Sequence, residues 1–230
     1  MELNKYIDHT NLKPDATRED IKKLCDEAIK YKFATVCVNP CYVELAKDLL
    51  KESDVEVCTV IGFPLGASHV RTKEYEAIIA IENGADEIDM VINIGALKDK
   101  DYDYIKEEIE SVREVLEGRI LKVIIETCYL TDDEIRKITE ICNETFVNFI
   151  KTSTGFGVRG ANIHDIEVIN EVKNDLLEVK ASGGIKSYEQ ANEFIKLGVT
   201  RIGTSSGVEI MECNCDDDCN CDCCDCKEES

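Results

Sequence analysis

Short runs of β-branched and other apolar residues recur along the chain at 6–10, 34–39, 55–61, 87–93, 121–127, 146–152, 176–181 and 200–204. Each has strand length, and nearly continuous apolar character is what a strand buried on both faces of a parallel sheet requires. Between the runs lie stretches in which apolar positions return every three or four residues among many charges, at 17–32, 40–52, 69–83, 101–117, 131–143, 162–174 and 187–197. That period predicts amphipathic helices. Thr17, Asp101, Thr131 and Ser187 stand where the helices should start, and Ser187 precedes Gln190 by three residues, as a reciprocal cap does. Gly84, Gly118 and Gly198 stand where they should stop.

Eight strands alternating with helices predict a (β/α)8 TIM barrel, with a doubly wound sheet as the alternative if fewer runs are true strands. Barrel enzymes place their chemistry at the carboxyl ends of the strands. The polar residues finishing the runs are Asp8, Cys37, Asp89, Asn93, Glu126, Lys151, Lys180 and Ser205, and they are expected to converge on one mouth.

Lys151 is the residue of most interest. It ends the run Phe149-Ile150-Lys151 and opens into Thr152-Ser153-Thr154-Gly155-Phe156-Gly157. An amine where a buried strand meets a loop is poorly solvated and must be paired, neutralised or used. Lys180 ends the next run, Leu176-Leu177-Glu178-Val179-Lys180. On neighbouring parallel strands about 4.8 Å apart, the two ammonium groups would lie roughly 6 Å from each other and repel by about 3 kcal/mol at an effective dielectric near 20. Such crowding favours an unprotonated amine, which is a nucleophile toward carbonyls. A structural salt bridge to an acid such as Asp89 is the plain alternative.

Two later segments suit an anion. Ser182-Gly183-Gly184-Ile185 follows the seventh run and Gly203-Thr204-Ser205-Ser206-Gly207 the eighth. Glycines let backbone N–H groups approach phosphate oxygens, and barrels often hold phosphate on the loops after these two strands. Each motif alone also fits a tight connecting turn.

The formal charge of −21 in 230 residues disfavours nucleic acid as a partner. No apolar stretch reaches the roughly 18 residues of a membrane span, and the first residues lack the pattern of a secretory signal, so a cytoplasmic location is expected. Cys25, Cys37, Cys41, Cys58, Cys128 and Cys142 are scattered through apolar or helical contexts, as reduced buried thiols are. His9, His69 and His164 are too dispersed to suggest a metal site or catalytic triad, and each reads as a surface or helix-cap residue.

Several segments together closely resemble deoxyribose-phosphate aldolases: Tyr6-Ile7-Asp8-His9-Thr10-Asn11-Leu12, Val60-Ile61-Gly62-Phe63-Pro64-Leu65-Gly66, Glu87-Ile88-Asp89-Met90-Val91, the run from Lys151 to Gly157, and Lys180-Ala181-Ser182-Gly183-Gly184-Ile185. The resemblance covers residues 1 to about 208. It implies a class I aldolase that needs no metal or other cofactor and reversibly splits 2-deoxy-D-ribose 5-phosphate into acetaldehyde and D-glyceraldehyde 3-phosphate. By the family's pattern Lys151 forms the imine, Lys180 activates it and Asp89 assists proton transfer. Asp8 and Thr154 orient water or substrate hydroxyls, Cys37 and Gly155 line the pocket, and Gly183, Gly184, Gly203, Ser205 and Ser206 hold phosphate. A homodimer or homotetramer is the expected assembly. Arg159 departs from the pattern, either adding a phosphate contact or facing solvent. The carboxyl-terminal Tyr that some relatives use in proton exchange has no counterpart here. Other readings are a lysine aldolase for a different sugar phosphate, or an isomerase in which Lys151 is not covalent.

The expected division is a barrel over 1–211, with a final helix of barely two turns, and an acidic tail over 212–230. The tail carries Cys213, Cys215, Cys219, Cys221, Cys223, Cys224 and Cys226 among aspartates. It is too poor in apolar residues to order itself. Its Cys-x-Cys steps resemble soft-metal thiolate tracts, although the Cys-x2-Cys pairs of a zinc ribbon are absent. The tail is therefore read as a bystander or as a metal binder attached to a weakened barrel.

Overall fold

The computed structural model describes residues 2–212, and over them the chain forms one closed eight-stranded barrel in which each strand pairs in parallel with its sequence neighbours and the last with the first. The strands are β1 (Ile7–Asn11), β2 (Thr35–Val38), β3 (Glu56–Ile61), β4 (Glu87–Val91), β5 (Ile120–Ile124), β6 (Phe149–Lys151), β7 (Glu178–Ser182) and β8 (Arg201–Thr204). The helices are α1 (Arg18–Tyr31), α2 (Val43–Leu50), α3 (Val70–Glu82), α4 (Ile94–Lys98), α5 (Tyr102–Val115), α6 (Asp132–Glu144), α7 (Ile163–Val172), α8 (Tyr188–Lys196) and α9 (Gly207–Glu212). All eight expected strands and seven expected helices are present.

The helix starts follow from their side chains. Thr17 and Thr131 form reciprocal capping boxes with Asp20 and Glu134, while Asp101 and Ser187 accept the backbone N–H groups of Tyr104 and Gln190. Gly84, Gly118 and Gly198 all take positive φ after their helices.

Alternation along each strand sorts the side chains onto two faces. Outward positions such as Ile88, Met90, Leu121, Val123, Ile150, Val179 and Ile202 join helix residues in one continuous core. Inward positions carry the charges: Asp8, Glu87, Asp89, Lys122, Lys151, Lys180 and Arg201. A second apolar group, Leu12, Cys37, Cys58 and Val60 with Phe63 against it, fills part of the interior.

Several boundaries differ from expectation. The fifth strand ends at Ile124 because Glu126 turns left-handed, at φ 51°, and leaves the ladder. The sixth is only three residues, since Phe146 also takes positive φ and is exposed. Helix α4 was not foreseen; five residues are too few for a helical period to show. The final helix is short, as expected, and packs on α1, α8 and β1.

Candidate active site

A cavity of about 490 Å³ opens at the carboxyl ends of the strands, and Lys151, Thr154, Gly155, Ser182, Gly183, Gly184, Gly203 and Ser205 lie on its wall. Lys151 reaches it from the last position of β6 and is 3% exposed. Its partner is Asp89, whose Oδ2 lies 2.7 Å from the Lys151 amine and 2.7 Å from that of Lys180. The strand register pairs Lys151 with Lys180, as neighbouring strands require.

The amines are thus close but not simply opposed. One carboxylate oxygen sits between them, which corrects the expectation of two bare like charges. Lys180 is also bound to Asp8 Oδ2 at 2.5 Å. Burial works against the Lys180 charge, but Asp8 and Asp89 outweigh it and hold its pKa above the ordinary lysine range. Burial likewise pushes Asp89 up, while Lys122, Lys151 and Lys180 together hold it well below the usual carboxylate range.

Lys122, on β5, anchors the other side of Asp89 at 2.8 Å and reaches Glu87 at 2.5 Å. Lys122 thus holds Asp89 from the side opposite Lys151 and Lys180, and Glu126, four residues later, does not join it. Glu126 instead accepts the hydroxyl and backbone N–H of Thr154, fixing the loop that follows Lys151.

Asp8 and Cys37 are not where the resemblance put them. Asp8 is fully buried beneath the cavity, bound to Lys180 and Arg201, so it cannot reach a substrate hydroxyl directly. Cys37, 1% exposed, belongs to the interior apolar group and is off the cavity wall. Asp89 and Lys180 also lie below the wall, with Asp89 bridging the amines of Lys180 and Lys151. Asn93 caps α4 by accepting the Ala96 N–H.

Beside the amine, the loop after β6 fits against the first glycine loop by close backbone contact. A Cβ on Gly160 would lie 2.0 Å from the Gly183 carbonyl oxygen, so only glycine permits this approach. Ser182 donates to the Ser153 carbonyl at 2.6 Å, and Thr204 to that of Ile185 at 2.7 Å, tying the loops to the strands. Ser205 is exposed on the cavity, whereas Ser206 is half-buried off the wall, its N–H donating to Thr204 Oγ1. Arg159 neither faces solvent alone nor reaches the two glycine loops: it forks onto Asp165, at 2.5 and 3.1 Å.

Several charged cavity residues escaped the sequence reading, the cations Lys13, Lys23 and Lys186 and the acids Asp20 and Glu27. Lys186 was discoverable, since it directly follows the Gly183-Gly184-Ile185 turn. Glu87 and Arg201 were missed as well; the signal for Glu87 was a charge two residues before Asp89, on the same face of one strand. His9 was misread. It is 2% exposed and bound to Glu27 at 2.8 Å, whereas His69 does cap α3 and His164 is exposed beside Asp132.

Cys37, Cys58 and Asp89 bring potential metal-ligating atoms within 4.8 Å of one another, as do Asp8, Cys58 and Glu87. Lys122 and Lys180 already neutralise these carboxylates, so a metal ion would have to displace an ammonium group. Of the scattered cysteines, Cys25, Cys37, Cys58 and Cys142 are buried, while Cys41 is exposed and Cys128 partly so; all six are free thiols. The candidate ligands from Cys213 to Cys226 lie outside the described residues.

A family model for DeoC/LacD family aldolases matches residues 3–210. The chain belongs to this aldolase family. Relatives at 58% identity include the deoxyribose-phosphate aldolases of Finegoldia magna, aligned over 92% of this chain and 100% of that protein, and Thermococcus kodakarensis, over 92% and 96%. Among solved structures, the aldolase QR15 superposes with a TM-score of 0.88 at 41% identity, covering 91% of this chain and 94% of its own. The deoxyribose phosphate aldolase of Aeropyrum pernix, described as a unique tetramer, gives 0.86 at 31% identity, covering 91% and 89%.

Proposed function

We propose that this chain is a class I aldolase that reversibly cleaves 2-deoxy-D-ribose 5-phosphate to acetaldehyde and D-glyceraldehyde 3-phosphate. The observation that carries the reading is a single cavity with the Lys151 amine and two glycine-rich loops on its wall. Lys151 attacks the aldehyde carbon of the open-chain sugar, and Asp89, hydrogen-bonded to that nitrogen, carries protons as the carbinolamine loses water to form the imine. The hydroxyl on the third carbon then passes its proton to water in the cavity, the bond between carbons two and three breaks to free D-glyceraldehyde 3-phosphate, and the imine nitrogen accepts the electron pair as an enamine. Protonation at carbon and hydrolysis release acetaldehyde. Lys180 keeps Asp89 ionised and in place. Thr154 and Gly155 face the sugar, and Gly183, Gly184, Gly203 and Ser205, with Lys186 beside them, take the phosphate; Ser206 supports that loop from behind.

The test is a coupled assay for glyceraldehyde 3-phosphate release beside Lys151→Ala, together with borohydride reduction in acetaldehyde. The expected results are loss of turnover in the variant and a two-carbon adduct on Lys151 in the unaltered chain. Equal turnover by both would reject the assignment. No described helix is long and apolar enough to cross a membrane; action in the cytoplasm as a homodimer or homotetramer completes the reading, with sedimentation to measure the assembly.

For residues 212–230 we infer a separate property, binding of soft cations such as Zn(II) or Cu(I). Seven cysteines fall within fourteen residues beyond the end of the family match, and neighbouring thiolates share such ions. Zinc titration of the full chain should show uptake that is lost when those seven cysteines become serine, with the aldolase rate unchanged. Equal uptake by both chains would refute it.

A further inference from the structure

The cavity does not end at the phosphate loops. Its wall continues past Ser205 onto α1, where Lys23, Leu24 and Glu27 face the same space. No step above uses them. The link that brings Lys23 there starts on β1. His9 is in register with Thr204, the last residue of β8. Its ring is pressed against the first residue of α9, since a Cβ on Gly207 would lie 2.8 Å from His9 Nδ1. From its other nitrogen, Nε2, His9 donates to Glu27 Oε2 at 2.8 Å, and Glu27 Oε1 lies 3.7 Å from the Lys23 ammonium. Two side chains therefore connect Lys23 to the segment 203–207, which takes the phosphate.

The inner end of this tether is fixed and the outer end is open. His9 is buried against Phe33, with ring centroids 5.0 Å apart, whereas the Lys23 side chain is 77% exposed. At 3.7 Å its pair with Glu27 is loose, so the ammonium keeps donors for an anion. The surrounding charges are mixed. Asp20 and Glu27 come from α1 and stand on the wall with Lys13 and Lys186, while Glu209 of α9 acts on His9 together with Lys23. Asp20 is occupied by the backbone N–H and hydroxyl of Thr17. Glu27 faces the cavity, and Lys23 is the cation that offsets it there. In a chain of net charge −21, a dianion approaches against the average field, so a cation at this point matters more than its exposure suggests.

We propose that Lys23 is a specificity residue for the phosphate-bearing substrate. Tethered through Glu27 and His9 to the end of β8, its ammonium donates to the phosphate and cancels a carboxylate that would otherwise repel it. Lys186 follows β7 and Lys23 follows β1, so the two cations flank the loop after β8 from its two neighbouring strands. This deepens the phosphate reading above and rests on it.

The experiment compares kcat and KM for deoxyribose 5-phosphate and for unphosphorylated deoxyribose, at low and at physiological salt, in the full chain. The variants are Lys23→Gln, Lys23→Arg and Lys22→Gln. Lys22 is exposed on α1 but off the cavity wall, so its variant changes net charge equally without entering the site. A unit charge about 6 Å from a phosphate dianion in water-like surroundings is worth about tenfold in affinity at low salt, and about threefold once physiological salt screens it. Lys23→Gln should raise KM for the phosphorylated sugar by those factors at the two salts. Its kcat, and both constants for deoxyribose, should stay within about twofold. Lys23→Arg, which keeps the charge, and Lys22→Gln should both resemble the unaltered chain. An unchanged KM in Lys23→Gln at low salt overturns the proposal. So does an equal rise in Lys22→Gln, the mark of a whole-molecule field, or an equal loss on both substrates, the mark of a disturbed α1. Lys23→Arg as weak as Lys23→Gln also counts against it. An unaltered chain with no preference for the phosphorylated sugar overturns the phosphate reading itself, whereas a preference that survives Lys23→Gln intact overturns only the role of Lys23.

Discussion

Asp89→Asn tests the centre of the cluster. The carboxylate is fully buried and receives three ammonium groups, from Lys122 at 2.8 Å and from Lys151 and Lys180 at 2.7 Å each. Removing its charge leaves the lysines crowded around a neutral amide in a dry interior. Breaking a buried pair in this way costs about 3–5 kcal/mol, and at about 2–4 °C per kcal/mol for a chain of this size Tm should fall by about 6–20 °C. The protein stays folded at 25 °C if its total stability is in the usual range of about 5–15 kcal/mol. With Asp89 carrying the proton at the reacting nitrogen, as proposed above, kcat should fall by about 10²–10⁴. The variant also alters the acid side of the stability curve. Asp89 stays ionised well below the pH, about 3.9, at which the unfolded chain's aspartates take up protons, so its stabilisation is complete above that pH and drains away as pH falls toward its folded value. Asp89→Asn should therefore lose less stability than the unaltered chain on acidification through this window. Scanning calorimetry and the coupled assay read these effects, with Asp133→Asn as control. Asp133 is 97% exposed in its pair with Arg136, and its loss should change stability by less than about 1 kcal/mol. A Tm for Asp89→Asn within a degree or two of the unaltered protein, with near-normal kcat, would refute the reasoning.

Two further outcomes follow from the same geometry. Gly160→Ala drives a Cβ to 2.0 Å from the Gly183 carbonyl oxygen and must push the phosphate loop outward. KM for deoxyribose 5-phosphate should rise at least several-fold while cleavage of unphosphorylated deoxyribose changes little; equal effects on both substrates would sink the phosphate assignment. Lys73, fully buried, holds Glu108 at 2.5 Å and donates to the carbonyls of Gly66 and Val91. Lys73→Met should destabilise by about 3–5 kcal/mol in urea unfolding, and adding Glu108→Gln should recover part of that; a loss under 1 kcal/mol in the single variant would show that the pair does not hold these loops.

The architecture was readable because the strands are buried on both faces and stand out as short apolar runs between charge-rich helices. The kinship of Lys151 and Lys180 was readable too, since both end their runs and the register does pair them. What escaped the sequence was partnership across the barrel. Asp8 looked like a mouth residue because it lies in a strand near a loop, but Arg201, 193 positions later, fixes it below the cavity. Glu87 and Arg201 sit near strand starts, where a charge normally reads as solvated. Arg159 was ambiguous because its partner, Asp165, lies on the next helix, and only the fold brings them together. His9 looked peripheral because the burial of β1 under α1 depends on the barrel closing.

That closure joins β1 to β8, with Asp8 in register with Gly203. During synthesis the acid that steadies Lys180 is therefore made almost first, and the strand that locks it in place almost last. A ribosome-bound chain lacking its last thirty residues already contains Lys151 and Lys180, but not the seam that sets their surroundings. Reactivity toward aldehydes should thus switch on only once the whole ring has been made, which spares a half-built polypeptide from capturing stray carbonyl compounds.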